Sequence, residues 1–95
     1  MNSNPQKIII NLNENKHLNW RLCLKNELKN IKSNSLEINC KNLDLSCTEI
    51  LELIEIASQY DCKVINFFSS SLTTVISSKS LGYKSQFIIE NHSNR

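Results

Sequence analysis

Apolar and polar residues alternate along this chain with two different periods, and the changes of period mark seven elements. Residues 7–12 (K-I-I-I-N-L) form an apolar run rich in β-branched residues, and residues 36–41 (L-E-I-N-C-K) alternate strictly; both patterns are typical of strands. Residues 63–68 (K-V-I-N-F-F) are apolar almost throughout, which predicts a central strand covered on both faces. A last strand is predicted over residues 86–90.

The segments between these strands have helical periodicity. Over residues 17–31 an apolar stripe recurs every three or four positions, which predicts a helix with one buried face and lysines on the other. The predicted core positions of this helix are Trp20, Leu24, Leu28 and Ile31, widened by Leu18 and Leu22. A turn is predicted over residues 13–16.

The second helix has the strongest local signal. Ser46 and Glu49 fit a capping box, S-x-x-E, and Leu45 and Ile50 fit the accompanying hydrophobic staple. The helix is predicted to run to about residue 60, with Glu52 and Glu55 facing water. Its predicted buried positions are Ile50, Leu53, Ile54 and Ala57.

A third, short helix follows the serine-rich turn at residues 69–71. Leu72, Val75, Ile76 and Lys79 trace it. Gly82 suits the left-handed position that ends many helices, so the helix should stop there. The serine-rich turn is predicted to cap this helix rather than to bind an anion, because no Lys or Arg lies within it.

The element order is therefore β-α-β-α-β-α-β. This order predicts a small two-layer α/β domain with a partly parallel sheet and with its helices mainly on one face. We expect residues 7–90 to form this single domain, residues 1–6 to be a flexible N-terminus, and residues 91–95 to be a polar tail.

Composition narrows the function classes. The net charge of +2 and the dispersed lysines do not favour nucleic-acid binding. No apolar run is long enough for a membrane span or a signal peptide, so we expect a cytoplasmic protein without direct membrane insertion. The cysteines include no CxxC pair and no His at ligand spacing, so they are expected to be free thiols, and no metal or cofactor is expected.

No motif of catalysis is visible. His17 and His92 have no evident partner, and Asp44 and Asp61 lie at connections where Asp is common. Nothing in the sequence pairs with Asp44, the carboxylate nearest the end of a strand. We therefore expect no enzyme site and no catalytic residue. A zinc-binding or enzymatic use of the cysteines remains a third possibility, which elemental analysis would test.

Residues 7–87 resemble the N-terminal domain of the septum site-determining protein MinC, especially the cyanobacterial type. The resemblance is carried by the Trp-bearing helix, the strand L-E-I-N-C-K, the connection ending in L-D-L-S, and T-T-V-I-S-S-K-S-L-G-Y-K-S over residues 73–85. It implies an inhibitor of septum formation that binds the tubulin-like protein FtsZ and antagonises its polymers. It implies MinD as a second partner, and recruitment to the membrane through that partner, for a chain that also carries the family's β-helical domain.

The chain also resembles the STAS fold of anti-sigma-factor antagonists, which are switched by phosphorylation of a Ser at a strand–helix junction. Ser46, in D-L-S-C-T-E, is the nearest match to that Ser, although the Gly expected after it is missing. The contact residues for FtsZ are not marked by any motif. We expect the inhibitory surface on strand-end loops and on a lysine-bearing helix face, where Lys-to-Glu changes should weaken partner binding.

Overall fold

The computed structural model describes residues 8–12 and 19–89. Within them the chain forms four strands and three helices in strict alternation. The elements are β1 (Ile8–Asn11), α1 (Trp20–Leu28), β2 (Ser35–Lys41), α2 (Cys47–Gln59), β3 (Lys63–Ser69), α3 (Leu72–Ser80) and β4 (Ser85–Phe87). The predicted α/β class and element order are confirmed.

The four strands form one sheet in the order β1-β2-β3-β4, and each neighbouring pair is parallel. The sheet, expected to be partly parallel, is thus parallel at every described pairing. Ile38 is level with Ile10 on one side and Phe67 on the other, which fixes the register of the three longer strands. The ladder between β2 and β3 is interrupted after Leu36, where Ile65 has no partner.

The three helices lie side by side on one face of the sheet, since α2 contacts both α1 and α3, and α3 contacts β3 and β4. The core lies between these two layers. It is built from alternate residues of the strands and from the inner faces of the helices, and its fully buried large side chains include Phe67, Ile10, Leu12, Leu24, Leu36, Ile38, Leu45, Ile50 and Leu53. The predicted two-layer arrangement is confirmed.

Two of the helices end in the same motif. After α3, Gly82 has a φ of +93°, and the N–H groups of Gly82 and Tyr83 donate to the carbonyls of Lys79 and Ser78. After α2, Asp61 has a φ of +60°, and Asp61 and Cys62 make the equivalent bonds. A left-handed residue thus turns the chain sharply toward the next strand in both places.

Several expectations about faces and bounds were wrong. α1 ends at Leu28, so Ile31 packs against the core from outside the helix, and Leu22 is exposed rather than part of the stripe. In α2, Ile56 is buried and Ile54 is only half-buried, because the helix presents a slightly rotated face to the sheet.

The third helix and the last strands also differ from expectation. Leu72 and Ile76 are exposed, and the small polar residues of α3 are buried instead because the helix packs closely on β3 and β4. β4 begins at Ser85 and ends at Phe87, before the predicted bounds. β3 is central, but the described helices cover only one of its faces.

Some expectations fall outside the described residues. They are the flexible segment 1–6 and Lys7, the turn at 13–16 with His17 and Leu18, and Glu90 with the tail 91–95 that contains His92.

Candidate functional site

The carboxyl edge of the sheet, where parallel α/β proteins usually place their sites, is tied together by a hydrogen-bond network. Thr74 Oγ1 donates to the carbonyl of Leu43 at 2.6 Å and accepts from the N–H of Leu45 at 2.7 Å. Ser69 Oγ donates to the carbonyl of Lys41 at 2.9 Å, and the N–H of Ser70 donates to the same carbonyl at 2.7 Å. The connection between β2 and α2 is thus bonded to the start of α3.

Asp44 belongs to this network. Its Oδ1 accepts from Ser71 Oγ, and Ser71 also accepts from the N–H of Thr74 as the N-cap of α3. The expectation that nothing pairs with Asp44 is therefore wrong. Sequence spacing hides the pairing because the two residues lie 27 positions apart and meet only when β2 and β3 align. The bond orients a helix cap, and the serine-rich turn acts as the predicted cap.

The capping box expected at α2 is present. Ser46 Oγ accepts from the N–H of Glu49 at 3.3 Å, and the N–H of Ser46 donates to Glu49 Oε1 at 3.0 Å. Ser46 is exposed, but its hydroxyl also donates to Glu49 Oε1 at 3.2 Å. A phosphate on Ser46 would lie at a helix N-terminus, which favours it, and beside the Glu49 carboxylate, which opposes it.

The first helix supplies core and surface contacts. Trp20, Leu24 and Leu28 are buried against the sheet. The Arg21 guanidinium lies over the Trp20 ring, 4.6 Å from its centroid, and binds both carboxylate oxygens of Glu52 at 2.5 and 2.8 Å. Glu52, expected to face water alone, is therefore paired. Hydrogen bonding to Arg21 lowers the pKa of Glu52, and the same bond raises the pKa of Arg21.

All four cysteines are free thiols in the structure. Cys40 is fully buried on the core face of β2, as expected, and desolvation raises the pKa of its thiol to about 12. Desolvation, with the charge of Asp61, also raises the pKa of Cys62. Among the described residues, no three His, Cys, Asp or Glu side chains are grouped as they would be around a metal ion.

The opposite face of the sheet is open, since no described helix lies on it. Paired residues of parallel strands point to the same face, so Ile9, Glu37 and Asn66 form one row across it. Asn11, Asn39, Phe68 and Gln86 form the next row. Parallel sheets are usually covered on both faces, so this open, mostly polar face is the unusual feature of the fold.

A groove with a volume of about 540 Å³ lies along the first half of β3, and its lining includes the open-face residues Glu37, Asn66 and Gln86. Tyr83 forms part of its wall and packs edge-on against Phe67, with ring centroids 5.9 Å apart. Gly82, predicted only as a helix terminator, lines the groove as well. The lining residues are Glu37, Lys63, Val64, Ile65, Asn66, Gly82, Tyr83, Lys84 and Gln86.

Asn66 is the most unusual residue in the groove. It is only 7% exposed, and its Oδ1 is buried without a hydrogen-bond partner. Among the described residues, only Ser85 Oγ shares that condition, and Ser85 points to the helix-covered face. The site is not predicted by any of the sequence patterns above, although a lone Asn inside the apolar run K-V-I-N-F-F is a signal for it.

Comparison with known proteins adds nothing to this geometry. No family model matches the chain, and neither curated proteins nor solved structures match it. Of the described helices, none has the length and apolar character needed to cross a membrane.

Proposed function

We propose that this protein is a protein-binding module whose open sheet face receives its partner. The observation that carries the proposal is the parallel sheet whose described helices all lie on one face. Burying one face of such a sheet against a partner would complete the layering that parallel sheets usually have. The groove beside β3 adds a concave surface lined by charged side chains, which is a feature of binding surfaces.

The particular role that we propose is inhibition of septum formation through binding of FtsZ, in the cytoplasm. The resemblance of residues 7–87 to the N-terminal domain of MinC supports it, as does the element order on which the resemblance depends. The mechanism is binding without chemistry: the domain occupies a surface that FtsZ subunits need in their polymers. Membrane recruitment through MinD applies only if the natural chain carries the β-helical domain.

Sedimentation of FtsZ polymers from the same organism tests this role. At near-stoichiometric amounts of the protein we expect less FtsZ in the pellet, with the GTPase rate measured in parallel to separate loss of polymer from loss of nucleotide turnover. A doubly substituted variant, T74V/L24A, serves as an unfolded control. An unchanged pellet would remove the division role and leave the binding-module proposal standing.

The STAS-type phospho-switch is the alternative, and the exposure of Ser46 is the observation that favours it. Its test is the substitution of Ser46 by Asp, which mimics charge at that position, compared with Ser46→Thr, which keeps the cap. The switch predicts that Ser46→Asp alters partner binding and Ser46→Thr does not. Equal binding by both variants would leave Ser46 as a cap only.

A further inference from the structure

The groove has its positively charged side chains on one side and a negatively charged side chain on the other. Lys63 and Lys84 line it, on the side of β3 and β4, and Glu37 lines it on the side of β2. Because Ser85 is level with Phe67, Lys84 is level with Asn66, and Lys63 lies three residues earlier on β3. At about 3.3 Å per residue the Cα atoms of the two lysines are offset by at most about 10 Å along the strand direction, because the bulge at Ile65 shortens this stretch.

Asn66 adds a directional hydrogen-bond acceptor between these strands. Its Oδ1 has no donor, and leaving a buried acceptor unpaired is unfavourable. Asn66 lines the groove, so a ligand N–H that displaces the groups burying Oδ1 would supply the missing donor. The site thus favours a ligand that combines an N–H group with negative charge.

The backbone of β3 points to an extended ligand. Ile65 has no Cα partner in β2, and β4 pairs with β3 only from Phe67 onward. The first half of β3 is therefore flanked by the groove instead of by a fourth strand. An extended peptide with an acidic residue at every second position carries its charges about 7 Å apart, a spacing that two lysine side chains can span.

From this geometry we infer that the groove binds an extended acidic peptide segment of the protein partner. A main-chain N–H of the segment donates to Asn66 Oδ1, and carboxylates pair with Lys63 and Lys84. Both lysines lie on the β3 and β4 side of the groove, so the acidic residues of the segment lie on that side. The inference rests on the proposed function, since it specifies the surface through which the partner is bound.

The experiment uses the full chain and a fluorescein-labelled peptide of alternating aspartate and valine, six residues long, with both ends blocked. Two control peptides carry lysine in place of aspartate, or a methyl group on every main-chain nitrogen so that no main-chain N–H remains. Binding is followed by anisotropy, and the contact surface by ¹⁵N chemical shifts. We expect shifts at residues 63–66 and 82–86 and none at the carboxyl edge, no binding of the lysine peptide, and about three- to tenfold weaker binding of the N-methylated one.

Matched variants assign the contacts. K63E/K84E should weaken binding of the acidic peptide by about tenfold or more. K25E/K29E makes the same charge change at the exposed Lys25 of α1 and at its C-cap, Lys29, and should leave binding unchanged, which differs from the lysine-bearing helix face expected from the sequence. Asn66→Leu should weaken the unmodified peptide by about three- to tenfold but leave the N-methylated peptide unaffected, because the partner group is already missing.

Three results would overturn the inference: no binding at millimolar peptide, equal loss in K25E/K29E and K63E/K84E, or unchanged binding by Asn66→Leu. Binding of phosphatidylserine vesicles instead of the peptide, lost in K63E/K84E, would make the groove a lipid headgroup site and also overturn it. FtsZ sedimentation separates the two proposals. If K63E/K84E inhibits FtsZ as well as the natural chain does, the groove assignment fails and the division role stands. If the natural chain binds the peptide but leaves FtsZ polymers unaffected, the division role fails and the groove assignment stands.

Discussion

Polar groups at the carboxyl edge of the sheet are hydrogen-bonded within the protein, whereas the groove beside β3 contains a buried acceptor without a donor. At the carboxyl edge, Thr74, Ser71 and Asp44 are bonded to one another or to the backbone, and the helix starts are capped from within. In the groove, Asn66 Oδ1 is buried and has no donor. The position of a site in a parallel α/β protein is therefore not fixed by the topology alone. At the edge that usually binds ligands, these side chains have hydrogen-bond partners within the protein. The two buried side-chain atoms without a partner among the described residues, Asn66 Oδ1 and Ser85 Oγ, lie elsewhere.

The largest expected effect is at the carboxyl edge. Thr74→Val keeps the shape of the side chain but leaves the Leu43 carbonyl and the Leu45 N–H without their partner in a buried place. We expect a loss of about 3 kcal/mol in the free energy of unfolding, measured by urea denaturation. Thr73→Val, on the exposed neighbouring position, is the matched control and should change little. Equal stability of the two variants would show that the network does not hold this edge together.

A smaller effect is expected at the cap of α3. Ser71→Ala removes the bond to Asp44 and the acceptor for the Thr74 N–H, and should cost about 1–2 kcal/mol. Asp44→Asn retains an oxygen acceptor for Ser71 Oγ, so it should cost less than Ser71→Ala. Thermal unfolding of the two variants measures the difference. The reverse order would mean that Asp44 stabilises through its charge and not through the cap.

In the groove, the expected change in the free energy of unfolding is smaller than at the carboxyl edge. Asn66→Leu retains the branched shape and removes an acceptor that has no donor, so the unfolding free energy should stay within about 1 kcal/mol of the natural chain or rise. Denaturation by urea gives this value on the same scale as Thr74→Val. A loss as large as that of Thr74→Val would erase the contrast between the two regions.

The smallest effect is expected at the Arg21–Glu52 pair, which lies outside both regions and is more than one third exposed. Because the folded-state pKa of Glu52 is lowered from 4.5, the pair stabilises the fold above pH 4.5, and this contribution is lost as the pH falls through the lower folded-state pKa. The difference in melting temperature between the natural chain and Glu52→Gln should therefore be small at pH 7, smaller in high salt, and should vanish once the pH falls below the folded-state pKa of Glu52. A difference that grows on acidification would contradict this sign.

The sequence by itself determined the local elements. The period of apolar residues placed the strands and helices, S-x-x-E marked the start of α2, and Gly82 marked the end of α3, because each of these signals acts over one or two helical turns or a single strand. The alternation of strands and helices also determined the fold class, since a helical crossover between two strands joins them as parallel neighbours. Trp20, Leu24 and Leu28 were assigned to the core by the same helical period.

Only the tertiary structure decided which groups meet. Three pairs of residues that are far apart in sequence lie together because of strand order and register. They are Asp44 with Ser71, Arg21 with Glu52, and Asn66 with Lys84. Helical period gives the direction of a face but not how closely the helix packs, so Leu72 and Ile76 were placed on a face that proved exposed. The groove arises where β4 is too short to pair with the first half of β3, and that depends on the pairing of strands rather than on any local pattern.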